Sequence, residues 1–99
     1  MISFINNCIH KRLQEIIDMQ SSGKIGEVKT SWTDLLSSGD KPITLEINLS
    51  FTLDDHVRNA KIEGTFSKGL TIDKAKQISL SEFADAVRKR EFFCDRAEW

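Results

Sequence analysis

Apolar and polar residues alternate without a miss from Ile43 to Leu53. Ile43, Leu45, Ile47, Leu49, Phe51 and Leu53 take one parity, and Thr44, Glu46, Asn48, Ser50 and Thr52 take the other. A shorter run follows, with Ala60, Ile62, Gly64 and Phe66 against Lys61, Glu63 and Thr65. A period of two puts successive side chains on opposite faces of a strand. The stretch from Pro42 to Phe66 therefore reads as a long β-hairpin with one dry face and one wet face. Pro42 suits a first strand position, where a missing N–H costs least. The connection Asp54-Asp55-His56-Val57-Arg58-Asn59 is polar, and an exposed loop longer than a two-residue turn is expected there.

Upstream, the period changes to that of a helix. Ile2, Ile5, Ile9, Leu13 and Ile16 fall on one stripe, with Asn7, Lys11, Gln14 and Asp18 opposite, so a helix is expected from Ile2 to about Ser22. Phe4, Cys8 and Met19 flank the stripe, either as extra buried width or as a partner contact. Gly23 is placed for a C-cap. Val28, Thr30 and Trp32 then alternate with Glu27, Lys29 and Ser31, which predicts a strand within 25–32. Residues 33–41 break the pattern. Ser37-Ser38-Gly39-Asp40 is turn chemistry, and Thr33 to Leu36 suits one helical turn.

After Phe66, Ser67-Lys68-Gly69 is a second turn signal. Leu70, Ile72 and Ile78 keep one parity together with Lys74 and Lys76, which predicts a fourth strand at 70–77 whose lysines mark a sheet edge. Ser79 and Glu82 stand in capping-box spacing and open a last helix with a stripe of Leu80, Phe83, Val87 and Cys94. Its end is irregular: Arg90 falls inside the stripe and Phe92 on the polar face. The predicted order is α-β-β-β-β-α. It defines one α+β domain over residues 1–99, a two-layer sandwich. A three- to four-stranded antiparallel sheet carries the N-terminal and C-terminal helices on one face.

Composition narrows the classes. With 39% hydrophobic and 29% charged residues the chain is built like a globular domain rather than a disordered one. A net charge of −1 argues against a chain made mainly to neutralise phosphates. Two cysteines do not make a disulfide framework, and free thiols in a reducing compartment are expected. The N-terminal segment lacks the basic and continuous apolar regions of a signal peptide, and no window approaches the ~18 apolar residues of a membrane span. The expectation is a soluble, cytoplasmic protein without membrane contact.

Candidate chemistry is sparse. Cys8, His10, His56 and Cys94 are the soft metal-ligand types, but Cys8 and His10 point about 200° apart on a helix and no C-x-x-C pair exists. Cys94 on an apolar stripe is a poor nucleophile. Asp54 and Asp55 sit in a solvated turn rather than a cleft, and the glycines never cluster as a phosphate cradle. No catalytic residue, metal or cofactor is assigned, and the chain is not expected to be an enzyme. Binding residues stand out more. Arg88, Phe92, Arg96 and Trp99 crowd the C-terminal segment, and Asp54, Asp55, His56 and Arg58 fill the hairpin connection. Aromatics and arginine are the types enriched at binding hot spots. The expected partner is another protein, which this chain regulates, adapts or inhibits in the manner of small phage and mobile-element proteins. The same surface serves equally for pairing two copies, and a folded-back Trp99 capping the core is the structural alternative. A second reading is nucleic-acid association through Lys29, Lys61, Lys68, Lys74 and Lys76. Glu27, Glu46 and Glu63 dilute that charge, and Trp32, Phe51 and Phe66 are expected to point inward, away from any base.

Overall fold

The computed structural model describes residues 2–36, 44–67 and 70–99. The elements are α1 (Ile2–Ser21), β1 (Lys29–Leu36), β2 (Thr44–Leu53), β3 (His56–Phe66), α2 (Ile72–Ala75), α3 (Leu80–Arg88) and β4 (Phe92–Glu98). The strands form one antiparallel sheet in the order β1-β2-β3-β4. Ile9, Leu13 and Ile16 of α1 and Phe83 and Val87 of α3 share a single buried cluster with Leu45, Ile47, Leu49 and Ile62 of the sheet. The two-layer α+β sandwich is the one that the alternation predicts. Strand parity accounts for it: the dry face of β2 and β3 holds the apolar side chains, so both helices lie on that face.

The first four elements keep their expected order, and the last two move. Residues 70–77 do not form the fourth strand. They contain α2, whose Ala75 is fully buried, while Leu70 before it and Ile78 after it are partly buried. Ala75 and Ile78 are three apart, as a helical turn requires, and the Thr71 hydroxyl accepts from the Lys74 N–H at its start. The last helix begins as expected: Ser79 and Glu82 form a reciprocal capping box. It stops at Arg88. Arg90 takes φ 59°, the Glu91 N–H donates to the Ala86 carbonyl and the Arg90 N–H to the Val87 carbonyl. This is a Schellman ending built on a non-glycine residue. Phe92 and Cys94 therefore belong to strand period, and β4 pairs with β3. Asp95 is the extra residue of a bulge between Glu63 and Gly64, and the Cys94 thiol donates to the Arg96 carbonyl across it.

Two further expectations change. Thr33 to Leu36 continue β1 instead of making a helical turn, and β1 starts at Lys29 rather than near Ile25. The hairpin connection is a two-residue turn, with Leu53 paired to His56 and both Asp54 (φ 50°) and Asp55 (φ 65°) in the left-handed region. That is type I′ geometry, which matches the twist of the strands it joins, and aspartate tolerates it. His56 to Asn59 are thus strand residues at the distal end of the hairpin. The Ser37–Asp40 turn, Pro42 and the Lys68-Gly69 turn lie outside the described residues.

On α1 the buried stripe is Asn6, Ile9, Leu13 and Ile16, whereas Ile5 is 41% exposed. Asn6 is 1% exposed and fully bonded. Its Nδ2 donates to the carbonyls of Val87 (3.2 Å) and Phe92 (2.7 Å), and its Oδ1 accepts from the Cys94 N–H (3.1 Å). One side chain thus ties α1 to the end of α3 and the start of β4. Beneath it, Trp32, Phe83, Phe92 and Phe66 close a cycle of tilted and edge-on ring contacts, with centroids 4.9–5.8 Å apart. Gly64 makes room for it: a Cβ there would stand 2.5 Å from the Phe92 ring.

Candidate functional site

The dry face of the sheet is not evenly covered. Leu45, Ile47 and Leu49 are fully buried under the helices, but Phe51 and Leu53, next in the same alternation, are only partly buried. The C-terminal half of α1 stands over them and leaves a groove of about 300 Å³. Its floor is Ile16, Met19, Phe51, Leu53 and Ala60. Arg12 and Glu15 of α1 and Arg58 of β3 rim it, and Trp99, directly after β4, closes one end.

Local structure sets each of these side chains. Gly23 (φ 80°) ends α1 as the sequence predicts. The Lys24 and Gly23 N–H groups donate to the carbonyls of Met19 and Gln20, which fixes the last turn and with it Met19. Arg58 faces Phe51 in the β2–β3 register, so strand parity turns it to the helix side. Trp99 is 47% exposed, and the Arg12 guanidinium lies over its ring, 5.7 Å from the centroid. A cation over an indole face contributes on the order of 0.5–1 kcal/mol at an exposed site. That contact orients the ring without burying it.

The residues expected to bind a partner are scattered. Phe92 is fully buried in the aromatic cycle, so it belongs to the core and presents nothing to a partner. Arg88 is committed to Asp85 at 2.7 Å. Arg88 first and Lys89 second hold the Asp85 carboxyl below the usual carboxylate range. Arg96 pairs with Glu98 at 3.4 Å on the sheet face turned away from the helices. Asp54, Asp55 and His56 are exposed at the hairpin tip. Arg58 and Trp99, 41 positions apart in sequence, do come together, at the groove.

The lysines of the nucleic-acid reading do not share one element. Lys29 and Lys61 lie on the sheet face away from the helices, where Lys61 stands opposite Glu98 and the row beside it carries the directly opposed Glu46 and Glu63. Lys74 lies in α2, and Lys76 beside a recess with Thr30, Ser31 and Trp32 at the β1 edge. Lys68 lies outside the described residues. Phe93 points to the open face, opposite Thr65.

Among the described residues no group of three His, Cys, Asp or Glu side chains could hold a metal ion, and no helix is long and apolar enough to cross a membrane. Cys94 is 7% exposed, and burial pushes its thiol up to about 11, which keeps it protonated and unreactive near neutral pH. Cys8 is exposed on α1 rather than shouldering the buried stripe.

The groove residues that the sequence left unmarked are Arg12, Glu15, Phe51 and Leu53. A signal for the last two existed: their alternation runs longer than one short helix layer can cover. Compared with known proteins, the chain matches no family model, no curated protein and no solved structure.

Proposed function

We propose that this chain is a non-catalytic binding module that engages another protein, as a regulator, adaptor or inhibitor, through the groove between α1 and the distal half of the hairpin. One observation carries the reading. A half-exposed tryptophan, held by an arginine, stands at the end of an uncovered apolar floor. Large aromatic and arginine side chains beside a partly desolvated pocket are the features of interface hot spots. Mobile proteins gain little by leaving such a ring in water, whereas a partner that covers it removes apolar surface worth about 25 cal/mol per Å².

The test uses a photo-cross-linking side chain at Glu15, which is exposed and lines the groove, and in a second variant at Lys29, on the sheet face turned away from the helices. In the native host a discrete adduct is expected from position 15 and not from position 29. Trp99→Ala should remove it while the melting temperature falls by only a few degrees. Adducts confined to position 29 would move the binding surface to the open sheet face and overturn the reading.

A further inference from the structure

We infer that the groove receives a short acidic segment of its partner, one that buries a large apolar side chain and presents an Asp or Glu beside it. This rests on the protein-binding reading and adds the chemistry of the bound segment. Size is the first argument. About 300 Å³ lies at the bottom of the ~300–1,000 Å³ span of ligand sites, room for an anchor side chain and its flanks rather than a cofactor. The floor is aliphatic and aromatic, and Met19 can reshape around different anchors because a thioether chain is unbranched and flexible.

Charge is the second argument, and it selects the flank. The rim carries two arginines, Arg12 and Arg58, and one carboxylate, Glu15. Among the described residues neither arginine has an ion pair or a hydrogen bond, and Glu15 pairs with neither. The Arg12 guanidinium stands over the Trp99 ring, 5.7 Å from its centroid, and its five N–H donors make no hydrogen bond among the described residues. Arg58 stands across the groove beside Phe51. A guanidinium fork matches a carboxylate in two parallel hydrogen bonds, so an acidic flank gains both strength and direction. A basic flank would meet two like charges and be rejected.

Displayed random peptides selected against the intact chain test this. Enriched peptides should carry Leu, Met, Phe or Trp close to Asp or Glu. A synthetic peptide from that pool should bind at least about tenfold more weakly to Arg12→Gln and to Arg58→Gln, since charge-assisted hydrogen bonds are lost. It should also lose affinity with salt and on Leu53→Asp, while Lys29→Gln binds as the parent does. Arg58 is exposed, so Arg58→Gln should melt with the parent and report binding alone. Peptides that occupy the groove without an acidic residue, and ignore both arginine changes, would overturn this inference and leave the protein-binding reading standing. Peptides indifferent to Leu53→Asp and Trp99→Ala as well, or no enrichment at all, would overturn both. Decanoate binding without peptide binding, or self-association abolished by the same substitutions, would assign the groove to another occupant and overturn the inference.

Discussion

Asn6 shows how much one polar residue decides when it is buried. Its amide satisfies two carbonyls and one N–H that belong to α3 and β4. Asn6→Leu should leave these groups unpaired in an apolar setting and cost about 3 kcal/mol, since each orphaned group costs about 1–3 kcal/mol. A urea titration checks this, and a loss under about 1 kcal/mol would mean that water reaches the site. Cys94 gives a pH test. Burial raises its thiol from 9.0 to about 11. A thiol that the fold keeps neutral lends stability fully below the unfolded value and loses it as pH rises toward the folded one. The urea midpoint should therefore hold up to about pH 9 and fall between pH 9 and 11, with a smaller fall in Cys94→Ala. At neutral pH, alkylation should mark Cys8 at once and Cys94 only on unfolding. Equal rates for both would contradict the buried thiol.

Two helix ends carry the lesson at the scale of elements. Both α1 and α3 end in a Schellman motif, one on Gly23 and one on Arg90. Glycine advertises such an ending, and arginine does not. A non-glycine residue in the left-handed region costs about 1–2 kcal/mol. Arg90→Gly should therefore raise stability by about 1 kcal/mol by thermal melting, and a decrease would place a packing role on that side chain. The hairpin turn hid itself in a similar way. Asp54-Asp55 lacks the glycine that marks most type I′ turns, and the polar residues after it imitate a loop. They remain in the strand because β2 and β3 pair beyond the part of the sheet that the helices bury.

For the whole molecule, the two ends of the sequence meet. Contacts 81–88 positions apart join α1 to α3 and β4, and β4 completes the sheet along β3. Removal of residues 92–99 should therefore abolish cooperative unfolding, because it strips the Phe92 ring from the core and bares the β3 edge. Removal of Trp99 alone should shift the melting temperature by only a few degrees, about what a surface contact is worth in a domain of this size. A large loss would put Trp99 in the core rather than at the groove.

Local pattern determined the class of this fold. Strict alternation over β2 and β3, helical spacing in α1, the glycine ending of α1 and the capping box of α3 are each set by residues within a turn or a strand of one another. An α+β sandwich follows from them. Tertiary structure decided the rest. Residues 70–77 have the parity of a strand and the segment after Arg90 reads as the irregular end of a helix, and only pairing with β3 and burial of Phe92 make the second one the strand. Asn6 could be read as a solvent residue until Val87, Phe92 and Cys94 were brought beside it. The groove is legible only in part, since Arg58 and Trp99 stood out as residue types, but nothing local brings them to Arg12, Phe51 and Leu53. Period and capping are properties of neighbours in sequence, whereas burial, register and shared sites depend on which distant segments pack together.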